Sequence, residues 1–265
     1  MSKLDSKEAV LFRKEREKSI EGYSRDDAWK KLSVDWLAQG FKQKYMYNFE
    51  SLGRPVIQTP TEIVAMQELI WQVKPDLIIE TGIAHGGSLI MNASMMAMLD
   101  YCEAVVKDQM LDPKITCRRV LGIDIDIRSH NREAIEAHPM SHHIDMIEGS
   151  SITPEIIAQV HEIAKDFRKV LVCLDSNHTH DHVLAELNAY ALLTSEQSYC
   201  VVFDTIIEDL PDGAFHDRPW GKGNNPKTAV WEYLKNHPEF KIDKQLDNKL
   251  MVGVAPNGYL KRIRL

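Results

Sequence analysis

Pro75-Asp76-Leu77-Ile78-Ile79-Glu80-Thr81-Gly82-Ile83-Ala84-His85-Gly86-Gly87-Ser88 is the stretch on which the fold turns. The branched apolar run Leu77 to Ile79 ends abruptly in polar residues, as a buried parallel strand does. A glycine-bearing loop follows, and residues 88–99 then read as an apolar helix. Such a loop lets a ligand approach the backbone closely, and the helix start offers free N–H donors. The spacing is neither G-x-G-x-x-G nor G-x-x-x-x-G-K-[ST], so dinucleotide and P-loop readings are disfavoured. Glu80, where the loop opens, suits a ligand with a positively charged amino group, and a sulfonium amino acid that donates methyl groups meets that description.

The same alternation extends outward. Upstream, Thr59-Pro60-Thr61-Glu62 is a capping box with proline at the first helical position. Its helix carries Ile63, Met66, Leu69, Ile70 and Val73 on one side, and Pro75 stops it. Downstream, strands are expected at 119–124, 144–148, 170–175 and 199–204. Helices are expected at 131–137, after Thr153-Pro154, over 180–193 and from Asn225-Pro226 to about 236. Residues 240–243 and 250–254 are expected to close the sheet as a final pair. This is an α/β pattern, a doubly wound Rossmann-like sheet that is mostly parallel. Residues 1–58 form a charged, helical N-terminal arm with scattered aromatics. That arm reads as a cap on the main domain at 59–265, or as an oligomer contact or active-site cover.

The formal charge of -7 over 265 residues disfavours nucleic acid as a partner. The consecutive apolar runs are too short for a membrane span, and the N-terminus lacks the apolar segment of a secretory signal. Cys102, Cys117, Cys173 and Cys200 are far apart with no CxxC pair, which suits a reducing cytoplasm. A homo-oligomer is expected.

In a doubly wound sheet, ligands bind beyond the carboxyl ends of the strands. Asp124, ending the second strand, is placed to accept hydrogen bonds from a ribose diol. Ser150 and Ser151, after the third, would face the base of the same nucleoside. The fourth strand ends in Asp175-Ser176-Asn177-His178-Thr179-His180-Asp181-His182. Asp175 suits a hard cation such as Mg²⁺, and His178 a general base. A histidine-rich zinc site competes with that reading but would want closed tetrahedral ligation. His180 and His182 read as surface residues of the next helix. Asp204 ends the fifth strand beside Asp175, and two carboxylates there would repel unless a cation or proton lay between them.

At these residues the sequence resembles the cephalosporin hydroxylase and rhamnosyl O-methyltransferase family. The resemblance covers roughly residues 52–256. It is carried by PVIQTPTEIVAMQELIWQVKPDLIIETGIAHGGSLI, VLGIDIDIR, VLVCLDSNHTHDHVLAEL and PWGKGNNPKTAVWEYL. It implies a class I S-adenosylmethionine-dependent O-methyltransferase acting on a sugar or natural-product hydroxyl, several relatives using Mg²⁺. By position it implies cofactor contacts from Glu80, Thr81, Gly82, His85, Gly86, Ser88, Asp124, Ser150, Ser151 and Asp175. It implies metal carboxylates at Asp175 and Asp204, and a base at His178. Phe203 departs from the family, which often has Glu-Asp at this point, and a phenylalanine cannot ligate a cation. The alternatives are a partner protein in an oxygenation and a non-catalytic cofactor-binding protein. The long loop over 205–225 mixes glycines with Phe215, His216 and Trp220, and is expected to be a mobile lid over the acceptor.

Overall fold

A computed structural model describes residues 6–264. Residues 1–5, where the expected arm begins, lie outside the described residues. Helices α1 (Lys7–Tyr23) and α2 (Asp27–Lys42) form the arm's first part. Ser6 and Asp26 cap them by accepting from the amides of Ala9 and Trp29. The arm is not helical throughout. It ends in a hairpin, β1 (Phe49–Ser51) and β2 (Arg54–Val56), in which Ser51 pairs with Arg54. Leu52 and Gly53 turn it with φ of 47° and 85°, the two left-handed positions of a two-residue hairpin loop.

The main sheet follows the expected alternation. Its elements are α3 (Pro60–Val73), β3 (Leu77–Thr81), α4 (Gly87–Lys107), β4 (Arg119–Asp124), α5 (Ser129–Glu136), β5 (Ile144–Glu148) and α6 (Pro154–Ala164). Then come β6 (Val170–Leu174), α7 (His180–Tyr190), β7 (Tyr199–Val202), α8 (Pro226–Tyr233), β8 (Phe240–Ile242), α9 (Lys244–Leu250) and β9 (Tyr259–Arg262). Strand order is β5-β4-β3-β6-β7-β9-β8, with the β7–β9 and β9–β8 pairings antiparallel and the other four parallel. The order reverses between β3 and β6, the switch point where such sheets bind ligands. Alternation along β3 feeds both faces. Ile78 joins α2, α3 and α4 in one core, while Leu77 and Ile79 join α6, α7 and α8 in the other.

Two expectations about elements need correction. Residues 250–254 are not a strand, and the last strand is β9. The side chains that open α3 capture the earlier segment. Thr61 donates to the Val252 carbonyl at 2.5 Å, and Glu62 accepts from the Val254 amide at 2.5 Å. The place beside β7 goes instead to β9, with its buried pair Tyr259 and Leu260. The helix after the glycine loop also runs on to Lys107, beyond the expected end at 99. Among the described residues, α4 is the one helix with the length and composition of a membrane span. Here it is the β3–β4 crossover, with Leu89, Ile90, Ala93 and Met96 fully buried against the sheet.

Candidate active site

A cleft of about 680 Å³ opens beyond the carboxyl ends of β3 and β6. The loop after β3 supplies Gly82 to His85, and the start of α4 supplies Gly87 and Ser88. Asp175, Ser176 and His178 come from the end of β6, and Asp204 from the end of β7. The arm closes one side with Phe41, Lys44, Tyr47 and residues 55–58, and the 207–220 loop closes the other. Of the expected site residues, Gly82, His85, Ser88, Asp175, His178 and Asp204 thus meet on the cleft wall. Glu80, Thr81, Gly86, Asp124, Ser150 and Ser151 lie off it.

The off-wall residues shape the wall from behind. Glu80 is buried and accepts from Ser88 Oγ and from Asn92 Nδ2, the latter at 2.8 Å. Burial pushes its carboxyl up to about 7. Thr81, also buried, accepts from the Asp175 amide. Asp124 Oδ2 accepts from the Ile83 amide at 2.7 Å and the Ala84 amide at 3.3 Å, so it holds the loop. Its Oδ1 accepts from the Asp126 amide at 3.2 Å. Gly82 has φ of +87°, and a Cβ there would fall 2.1 Å from the Asp175 carbonyl oxygen. The two loops therefore touch backbone to backbone, which only glycine permits.

Ser151 is turned inward. Its hydroxyl and that of Ser176 each donate to the buried Glu186 at 2.6 Å, and each lies 3.2 Å from His182 Nε2. His182 is therefore not a free surface residue. Neither is His180, whose Nδ1 is 2.8 Å from Thr228 Oγ1 on α8.

The reactive cluster is Asp175, His178 and Asp204, whose ligand atoms all lie within 4.8 Å of one another. His178 Nε2 is 3.0 Å from Asp204 Oδ2. Asp204 has φ of +55°, a left-handed conformation that aspartate tolerates better than most residues. Burial pushes the Asp175 carboxyl well above its ordinary range, and the neighbouring charges of Asp204, Glu80, Glu62 and Glu186 raise it further. These neighbours are all acidic, so a cation is the natural complement. Two hard carboxylates in this span fit a divalent metal, and the imidazole lies beside them. Phe203 is buried beneath the cluster and offers no ligand. Trp220 meets the His178 ring edge-on at 4.8 Å between centroids, and Arg218 lies 5.4 Å over Trp220. Phe215 meets Phe41 of α2 at 5.4 Å, joining the loop to the arm.

Sequence reasoning missed two residues that build the site, Arg54 and the buried Asn131. Arg54 donates to the His85 carbonyl through Nε at 3.0 Å and Nη2 at 2.6 Å, and to Asn131 Oδ1 at 2.9 Å. Asn131 donates to the Ala84 carbonyl at 2.9 Å. No local motif announces either one.

With this geometry in view, comparison with known proteins is decisive. Residues 43–263 match the family described as rhamnosyl O-methyltransferase/CmcI. The chain belongs to this family. It is an O-methyltransferase on that ground. The rhamnosyl O-methyltransferase of Mycobacterium tuberculosis is 29% identical over 199 residues, 74% of this chain and 71% of that protein. That of Mycobacterium leprae is 25% identical over 238 residues, 86% of this chain and 92% of that protein. A solved structure of CmcI in its Mg-SAM form superposes with a TM-score of 0.52 at 16% identity, covering 82% of this chain and 78% of that one. It shows the shared fold. The resemblance carried by the four sequence blocks and the doubly wound architecture both hold.

Proposed function

We propose that this family member moves the methyl group of S-adenosylmethionine to a hydroxyl of a sugar or natural-product acceptor, with His178 as base and Asp175 and Asp204 holding Mg²⁺. The observation that carries the reading is the Asp175–His178–Asp204 cluster on a cleft wall shared with the glycine loop. The names of the mycobacterial relatives support the acceptor class, and the Mg-SAM form of CmcI supports both cofactors.

The chain's own groups divide the task. Asp204 Oδ2 accepts from His178 Nε2–H, which leaves Nδ1 to take the acceptor's proton. The imidazolium so formed is stabilised by the same carboxylate. Asp204 Oδ1 and Asp175 remain to hold the cation. Bound Mg²⁺ would orient the acceptor's oxygens and make the reacting hydroxyl more acidic, and the sulfonium of the cofactor would supply the methyl group. The loop held by Asp124 places one reactant and the cluster the other, and positioning of this kind supplies much of the rate. The loop over 205–225 acts as a lid, with Trp220 beside His178 excluding water. Placement in a reducing cytoplasm is supported by four unpaired cysteines.

His178→Ala should lower kcat by roughly a hundredfold or more, the scale of a lost general base, with cofactor affinity by calorimetry unchanged. Chelator-treated enzyme should lose activity and regain it on addition of Mg²⁺. Full activity after rigorous chelation would exclude the metal. An unimpaired His178→Ala enzyme would exclude the base.

A further inference from the structure

The hairpin that ends the arm is set against the glycine loop at two points and against the segment after α5 at a third. Arg54 grips the His85 carbonyl with two donors and Asn131 with a third contact. The Leu52 carbonyl lies 3.1 Å from His138 Nε2, just beyond α5. Gly87 faces the Pro55 carbonyl so closely that a Cβ would fall 2.2 Å from its oxygen. The same segment lines the acceptor side of the cleft through Tyr47, Pro55, Val56 and Ile57.

We infer that Arg54 is a positioning residue for the cofactor, and that the hairpin couples the acceptor wall to the cofactor loop. The inference rests on the cofactor reading above and goes beyond it by adding a residue outside the glycine motif.

The bonds made to this loop fix which way its peptide groups face. Asp124 accepts the amides of Ile83 and Ala84, while Asn131 and Arg54 draw back the carbonyls of Ala84 and His85. The Gly86 amide donates to the Ile83 carbonyl at 2.8 Å, so the peptide units joining Ile83 to Ala84 and His85 to Gly86 are held at both ends. The amides of Gly87 and Ser88, on the cleft wall at the start of α4, have no backbone acceptor among the described residues. They are left facing the cleft, where a helix start favours an anionic group such as the amino-acid carboxylate of the donor. Arg54 makes its carbonyl contact with two N–H groups converging on one oxygen, an arrangement the rigid guanidinium allows and the single ammonium of lysine does not. Removing it frees the His85 peptide to rotate. It also leaves Asn131 with only its own bond to Ala84.

The test uses the full chain and S-adenosylhomocysteine as probe. Arg54→Ala should weaken S-adenosylhomocysteine binding about tenfold by calorimetry. Arg54→Lys should recover part of that loss. In turnover, Arg54→Ala should raise the KM for S-adenosylmethionine while kcat at saturating cofactor stays within about twofold. Hydrogen exchange of the Arg54→Ala variant should quicken at 82–88 and 49–56, and stay unchanged in β6 and β7. Unchanged probe affinity in a folded Arg54→Ala protein would overturn the inference, as would equal affinity loss in the alanine and lysine variants. Wild-type protein that did not bind S-adenosylhomocysteine would instead overturn the cofactor reading.

Discussion

The glycine loop of the cleft is fixed by directional bonds from half-buried and buried partners, whereas the loop over 211–220 is tethered by ring contacts. On the first side, Asp124, Asn131 and Arg54 satisfy both the donors and the acceptors of one short loop. On the other, an exposed chain from Pro211 to Pro219 is tethered by Phe215 against Phe41 and Trp220 against His178. Aromatic pairs contribute about 0.5–1.5 kcal/mol beyond burial and tolerate many geometries. Hydrogen-bonded networks tolerate few. On the proposed reading, the glycine loop holds the methyl donor to one place, while the ring-tethered loop opposite can change its residues without disturbing it.

The contrast can be broken most easily at Asp124. Asp124→Ala should release the Ile83 and Ala84 amides and weaken cofactor binding by about 1.5–3 kcal/mol, roughly ten- to a hundredfold in Kd. Calorimetry would measure it, and an unchanged Kd would mean that the loop keeps its shape without this carboxylate. Trp220→Ala should act on the other wall alone. It should raise the acceptor KM by up to about tenfold, the scale of one lost ring contact, and leave cofactor affinity intact. Normal acceptor kinetics with a lowered melting temperature would make Trp220 a packing residue rather than part of a lid.

The smallest effect sharpens the comparison from behind the acceptor wall. Burial pushes the Glu62 carboxyl from 4.5 up to about 7. The native state therefore keeps a proton that the unfolded chain has already lost. Between about pH 4.5 and pH 7 folding takes up protons, so this group's contribution to stability declines as pH rises. Glu62→Gln cannot ionise and should flatten that decline. Thermal melts of both proteins from pH 5 to 8 would show it, and parallel curves would assign the pH dependence to other groups.

Local chemistry was legible in the sequence wherever a short segment carries its own signal. The capping box at Thr59 and Glu62 closes as expected, with Thr59 accepting at N3 and Glu62 receiving the Thr59 amide. The ends of β3, β4 and β6 place Gly82, Asp124 and Asp175 at the switch point because strand ends are fixed by abrupt changes of polarity. What escaped is long-range. Arg54 reaches residues 31 and 77 positions away, and nothing beside it in the chain reports those partners. The last strand was misplaced for a similar reason. Residues 250–254 are apolar enough for a sheet, but their backbone is claimed by Thr61 and Glu62, 191 and 192 positions away. Asp124 was read as a ribose acceptor, and its grip on the loop amides could be seen only once β3 and β4 were paired.

Gly82 gives the molecule a fixed gauge. Its missing side chain lets the glycine loop and the carboxyl end of β6 sit in direct contact, so, on the proposed function, the spacing between methyl donor and proton acceptor is defined by an absence. Alanine there would force the two backbones apart by about 1 Å, since its Cβ would otherwise sit 2.1 Å from a carbonyl oxygen. A displacement of that size costs on the order of a hundredfold in a reaction between positioned groups. Each half of the site would keep its own bonds and its own affinity. The enzyme would then hold both reactants and join them poorly, because the length of the gap between them had changed.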